Sequence, residues 1–192
     1  MIAGIVLAAG LSARMGRPKQ LLDWAGRPLV RHVVVQALQS RLDRVLAVIN
    51  PAIPGLAAAL DGLPVTLVAQ PEPARGQGSS LSLGVAALPS GTRAAMILLG
   101  DQPLIDAAVI DRLLAAADSS ERTIVAPLIA GRRANPVLFK SGWLAELAAL
   151  AGDQGARDLI ARHPEALLLV PVEASSADID TEQDYQRLKA KG

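Results

Sequence analysis

The chain has 192 residues, of which 51% are hydrophobic, enough to bury a substantial core and too apolar for a disordered segment. A formal net charge of +1 and only Trp24, Phe139, Trp143 and Tyr185 as aromatics exclude a broad polyanion surface and a row of base-stacking platforms, so no nucleic-acid partner is expected. The absence of cysteine excludes disulfide frameworks, thiolate metal sites and cysteine nucleophiles. No apolar run approaches the ~20 residues of a membrane span, and the apolar start lacks the basic region of a signal peptide, so the expectation is a cytoplasmic protein with no membrane partner.

In chain order, Ile2 to Leu7 reads as a first strand and Leu29 to Leu38 as a helix. Val45 to Ile49 is a second strand stopped by Asn50-Pro51, and Ala52 to Leu60 reads as helical. Val65 to Ala69 is a strand ahead of the breaker-rich segment 70–76, and Ser80 to Leu88 is a helix. Ala95 to Leu99 is an unbroken apolar run, the pattern of a central parallel strand covered on both faces. Asp106 then caps a helix through Ala117, and Thr123 to Ala126 and Pro136 to Phe139 are short strands. Helices follow over Gly142 to Leu150 and Ala156 to His163, a strand over Leu167 to Val170, and a last helix from Thr181 to Lys189. This alternation predicts a single α/β domain over residues 1–192: one doubly wound, mostly parallel sheet with helices on both faces. Ligands of such sheets bind beyond the carboxyl ends of the strands, where the loops after Leu7 and Leu99 and the segment 178–181 should converge.

The first of these loops reads Leu7-Ala8-Ala9-Gly10-Leu11-Ser12-Ala13-Arg14-Met15-Gly16-Arg17-Pro18-Lys19-Gln20. Connections in α/β units usually take ~2–6 residues, so a longer loop of small residues with three cations calls for a reason. Ala8, Ala9 and Gly10 admit a ligand close to the backbone, Gly16 adds a second flexible point, and exposed N–H groups with Arg14, Arg17 and Lys19 suit phosphates. Two familiar phosphate loops fail the test. No glycine lies between Gly10 and Gly16, as a dinucleotide fingerprint needs, and Arg17 rather than lysine follows the second glycine, unlike a Walker A loop.

Asp101 follows the apolar strand directly and reads either as a ligand for a hard cation facing the phosphate loop or as a turn-former. In Asp178-Ile179-Asp180-Thr181-Glu182-Gln183-Asp184, a capping box accounts for Thr181 and Asp184 and leaves Asp178 and Asp180 unexplained. Gly76, Gly78 and Ser80 permit close approach and offer a hydroxyl, although Ser79 or Ser80 would equally cap a helix. Arg132, Arg133 and Arg157 are cations suited to a phosphate-bearing acceptor, and Asp153 reads equally as a helix cap. His32 and His163 lack partners at ligand spacing and read as surface or helix-end residues; Trp24 and Trp143 read as packing residues.

The motif Leu7-Ala8-Ala9-Gly10-x-Ser12-x-Arg14-Met15-Gly16-x-x-Lys19 resembles the signature loop of the nucleotidyltransferases that include the molybdenum-cofactor guanylyl- and cytidylyltransferases. Sugar-nucleotide pyrophosphorylases share a looser version. The resemblance runs from residue 3 to residue 188 and takes in Arg75-Gly76-Gln77-Gly78-Ser79-Ser80-Leu81, Gly100-Asp101-Gln102-Pro103, Pro136-Val137-Leu138-Phe139, Gly152-Asp153-Gln154-Gly155-Ala156-Arg157 and Asp178-Ile179-Asp180-Thr181. It implies a Rossmann-like fold of the nucleotide-diphospho-sugar transferase kind. It further implies that Leu7, Ala8, Ala9, Gly10, Gly16, Lys19, Gly78, Ser80 and Asp101 bind the nucleotide, with Arg14, Lys19 and Asp101 catalytic. By the same resemblance Asp101 and Asp180 hold Mg²⁺, with Asp178 as the weaker second ligand, and Asn135, Asp153 and Arg157 face the acceptor. Two positions depart from the pattern: Ala134 stands where glycine is usual, and Glu182 where proline is common.

The motif combination favours the cytidylyl branch, which implies transfer of CMP from CTP to a pterin-type phosphate acceptor and a molybdenum hydroxylase as downstream partner. An ionised phosphate nucleophile needs no general base, which agrees with the lack of a Ser–His–Asp constellation. The rival readings are a nucleotidyltransferase using another NTP or another phosphorylated metabolite, and a non-catalytic pterin chaperone. The failed dinucleotide fingerprint disfavours a nicotinamide-dependent oxidoreductase.

Overall fold

A computed structural model describes residues 1–153, 155–175 and 177–190; Gln154 of the motifs above lies outside the described residues. Its strands are β1 (Ile2–Ala8), β2 (Asp23–Trp24), β3 (Arg27–Pro28), β4 (Arg44–Ile49), β5 (Thr66–Ala69), β6 (Ala94–Leu99), β7 (Ile124–Ile129), β8 (Arg132–Arg133), β9 (Val137–Lys140) and β10 (Leu167–Pro171). Its α-helices are α1 (Leu29–Gln39), α2 (Gln77–Ala86), α3 (Ala107–Asp118), α4 (Leu144–Ala148), α5 (Ala156–Arg162) and α6 (Glu182–Lys189).

The main sheet runs in the order β10-β7-β9-β6-β1-β4-β5, with β8 on β7. β1 sits between β4 and β6, parallel to both, with Leu7 opposite Val48 and Leu99. Alternating side chains cover the two faces, as the period of two in a strand requires. From β6, Ala94, Met96 and Leu98 join Val33 and Val34 of α1 and Ile110 and Leu113 of α3 on one side. Ala95 and Ile97 join Leu81 and Val85 of α2, Leu147 of α4 and Leu159 of α5 on the other. A third cluster packs Ile179 and, from α6, Tyr185 and Leu188 onto Leu22, Trp24 and Leu29, which brings this segment back to the first loop.

The sheet is mostly parallel as expected, with β9 and the short β8 reversed, and two helical expectations need correction. β6 is parallel to β1 but antiparallel to β9, which also runs antiparallel to β7. Parallel strands need a crossover of a dozen or more residues, and the short link from β7 through β8 to β9 allows only reversals. Residues 52–60 form turns and a 3₁₀ turn at Ala58–Leu60 in place of an α-helix. Pro54 lacks an N–H, and Gly55 takes φ +80°, outside the helical basin. The helix expected from Gly142 is a 3₁₀ turn at Ser141–Trp143 that leads into the five-residue α4. Ala134 is not among the positive-φ residues, and its N–H donates to Pro127 O at 3.0 Å, so its methyl is accommodated.

Both two-residue hairpins use Ala-Gly: Ala25 and Gly26 at φ +50° and +79°, and Ala130 and Gly131 at φ +48° and +75°. These are type I′ signs, for which Asn-Gly is preferred because an alanine in the left-handed region costs energy. Ala25→Asn is therefore expected to stabilise the protein by roughly 0.5–1 kcal/mol, read as a higher denaturant midpoint at unchanged slope.

Candidate active site

The loop after β1 is held by a residue that motif reading passed over. Gln20 is buried, and its Nε2 donates to Ala8 O at 3.0 Å and Gly10 O at 2.7 Å. Ser12 Oγ donates to Gln20 Oε1 at 3.3 Å and accepts from Lys19 N at 3.1 Å. Ser12 O accepts from Met15 N and Gly16 N, so Gly16, at φ +69°, closes an exposed turn. The sequence signal was available: a glutamine beside the loop lysine, just ahead of the apolar Leu21-Leu22, is placed to turn inward and satisfy carbonyls that leave a strand end.

The three predicted segments converge. Gly100 follows β6 and donates its N–H to Leu7 O at 2.9 Å; a Cβ there would press on Ala8 and on Leu7 O, so glycine lets the two loops close together. Lys19 Nζ donates to Asp101 Oδ2 at 2.5 Å and to Asp180 Oδ1 at 3.0 Å. Arg14 reaches Asp180 Oδ2 at 3.0 Å from a mostly exposed position. Burial works against the Lys19 ammonium, but Asp101 and then Asp180 outweigh it and hold its pKa above the ordinary value. Ile179 N donates to Asp101 O at 3.1 Å, which ties the two acidic segments through the backbone. Asp178 accepts from Gln102 Nε2 at 2.7 Å; burial, then the charge of Asp101, raises its pKa.

Capping and charge pairing are divided among neighbouring residues. Thr181 and Asp184 form the full reciprocal capping box of α6, which leaves the Asp180 carboxylate to Lys19 and Arg14. At α2, by contrast, the N-cap is Gly76 and no side chain caps; Ser80 Oγ instead accepts from Gln70 Nε2 at 3.3 Å. Asp153 does not cap α5 either, whose N-cap is Gly155 with no side-chain bond.

His32 is neither a plain surface residue nor a ligand. Its Nε2 lies 3.1 Å from Pro103 O, so the neutral ring braces the loop that carries Asp101, while Nδ1 is buried without a partner. Burial lowers its pKa below 6.5. A folded-state pKa below the unfolded one means that the unfolded chain takes up the proton first. The His32 contribution is thus present above about pH 6.5 and lost as pH falls below it. Thermal melts should show this acid-side loss in the wild type, and a smaller one in His32→Gln.

Two cavities open on this edge and share Leu7, Gln77 and Leu99. The first, of about 350 Å³, is lined by Ala8, Ala9, Gly10, Lys19, Gln20, Gly76, Ser80, Asp101 and Asp153 among others. The second, of about 750 Å³, is lined by Arg132, Arg133, Asn135, Arg157 and Asp178 over a floor that includes Leu81, Val137 and Phe139. Gly78 and Gly16 line neither cavity; Gly78 is buried, its N–H donating to Gly152 O at 2.9 Å. Asn135 and Arg157 therefore lie together, whereas Asp153 lies in the other cavity. Burial, then the charge of Arg157, lowers the pKa of Arg133, as expected of guanidiniums crowded around a space suited to an anion.

The carboxylates of Asp101 and Asp180 both reach one point, the Lys19 ammonium, so their hard oxygens suit a divalent cation. Among the described residues no set of three His, Cys, Asp or Glu forms a cage. That fits a cation which completes its shell with phosphate oxygens and water.

The architecture is that of the Rossmann-like nucleotidyltransferases. The chain belongs to the family of the MobA-like NTP transferase domain, whose model matches residues 4–167, and it is a nucleotidyltransferase by that membership. It is 31% identical to the purine catabolism protein PucB of Bacillus subtilis over 98% of this chain and 96% of that one. It is 28% identical to the nicotine blue oxidoreductase of Paenarthrobacter nicotinovorans over 97% and 96% of the two chains. Among solved structures it is similar to Rv0371c of Mycobacterium tuberculosis in complex with manganese, at a TM-score of 0.82 and 29% identity, covering 100% of this chain and 99% of that one. Among the described residues no helix is long and apolar enough to cross a membrane.

Proposed function

We propose that this single-domain, cytoplasmic protein transfers CMP from CTP to a molybdopterin-type cofactor and releases pyrophosphate. The observation that carries the reading is the meeting of Lys19, Asp101 and Asp180 beside two adjoining cavities, one lined by the phosphate loop and the other by arginines. In this reading the first cavity takes the nucleotide along Leu7 to Gly10, with Gly16 and Gly78 shaping its loops and Ser80 in its wall. Arg14 and Lys19 hold the triphosphate and offset the charge that grows on the leaving pyrophosphate. Asn135 and Arg157, with Arg132 and Arg133, hold the acceptor. A phosphate oxygen of the acceptor attacks the α-phosphorus, the bond from that phosphorus to the oxygen bridging to the β-phosphorus breaks, and its electron pair leaves with pyrophosphate. Asp101 and Asp180 would hold Mg²⁺, which supplies charge neutralisation at the transferring phosphate. The manganese complex of Rv0371c supports a divalent cation. The product suits delivery to a molybdenum hydroxylase.

Melting curves with each nucleotide test the choice of base, because a ligand of the native state raises its stability by mass action. CTP with Mg²⁺ should give the largest upward shift, reduced in Asp101→Asn. A larger shift with GTP, UTP or ATP would transfer the same chemistry to another base. Because one relative carries an oxidoreductase name, NADH and NADPH belong in the panel; a shift with these alone would refute nucleotidyl transfer.

A further inference from the structure

Asp153 is an ionisable group for which the transfer chemistry has no use. It neither caps α5 nor lines the arginine-bearing cavity. Its carboxylate stands in the wall of the first cavity beside Gly76, where a Cβ would collide with Asp153 Oδ1 and with the Gly152 backbone. Gly76 has φ +90°, and Gly78 N donates to Gly152 O at 2.9 Å, so the loops 73–78 and 150–153 are locked together and present Asp153 to the cavity. Lys19 and Asp101, the other charged groups in that cavity, are bonded to each other. Among the described residues that line the cavity, the wall made by Pro73, Ala74, Gly76 and Asp153 has no cation. A carboxylate there repels phosphate, whether of the NTP or of the acceptor, and can only accept hydrogen bonds.

We infer that Asp153 is a specificity-determining residue for the nucleoside, accepting a hydrogen bond from a ribose hydroxyl or from the exocyclic amine of the base. The inference rests on the reading of the first cavity as the nucleotide site. Phosphates go to the end that carries Lys19, which leaves the uncharged part of the nucleotide for the wall that carries Asp153. A charge-assisted bond of this kind favours ligands that offer a donor and penalises those that lack one.

The test is calorimetric titration of wild type and Asp153→Asn with CTP, 2′-deoxy-CTP, 3′-deoxy-CTP and UTP, each with Mg²⁺. Asp153 is exposed, so the unliganded variant should melt with the wild type. CTP should bind the variant about tenfold more weakly. In the wild type, loss of one donor should cost about the same factor, and that loss should cost the variant nothing further. If the sensitive ligand is a deoxynucleotide, the partner is the ribose; if it is UTP, the partner is the base amine. Equal CTP affinity in the two proteins overturns the inference, as does a loss in the variant that simply adds to every ligand change. If wild type binds none of these nucleotides, the nucleotide reading of the cavity fails instead.

Discussion

Asp101→Asn is expected to lower kcat for nucleotidyl transfer by about 10²–10³-fold while the protein stays folded. The substitution keeps the size of the side chain and removes one of the two carboxylate charges that converge on Lys19, leaving that of Asp180. In the proposed reading a cation held by these two carboxylates and the substrate's phosphates would lose half of its protein charge. The backbone of the loop should be unaffected, since Gly100 N still bonds Leu7 O and Asp101 O still accepts from Ile179 N. A steady-state assay over a range of metal concentrations checks this: the variant should need far more metal and should not regain the wild-type kcat.

Lys19→Met is expected to cost both activity and stability. Its ammonium is largely buried and bonded to two carboxylates, so its loss leaves Asp101 and Asp180 facing each other without the intervening charge. Partial exposure of both carboxylates screens the repulsion, and the expected destabilisation is about 1–2 kcal/mol in denaturant titration. The fall in kcat/KM should be about 10²–10³-fold, because in the proposed reading the same group meets the triphosphate. The pH dependence has a definite sign. The folded-state pKa of Lys19 lies above 10.5, so its contribution is full below that value and is lost only as pH rises through the raised pKa. Wild type and Lys19→Met should therefore converge in stability on the strongly alkaline side alone.

Much of this site was legible in the sequence because it is written in local patterns. An apolar run followed at once by Gly100-Asp101 places a carboxylate at a strand's carboxyl end, and the Thr181/Asp184 capping box sets aside Asp180 for other work. The cations of the first loop needed only the observation that the loop is too long for a simple connection. What escaped was non-local or energetic. The inward turn of Gln20 depends on which carbonyls the folded loop leaves bare. The reversal of β9 depends on how little chain separates it from β7, a constraint that periodicity does not express. Ala25 and Ala130 occupy turn positions that composition would assign to asparagine, so neither hairpin announces itself. The departure of Asp153 from the arginine cavity arises from the close contact at Gly76, visible only when both loops are folded.

The most direct test of the central claim is a single-turnover reaction with CTP labelled at the α-phosphate, Mg²⁺ and the molybdopterin-type acceptor, following label and pyrophosphate together. The label should pass to the acceptor with one pyrophosphate released per transfer, and both signals should be lost in Asp101→Asn. Acceptor that stays unlabelled with CTP and with every other nucleoside triphosphate, while still binding to the protein, would contradict the claim and identify a carrier of the cofactor in place of a transferase.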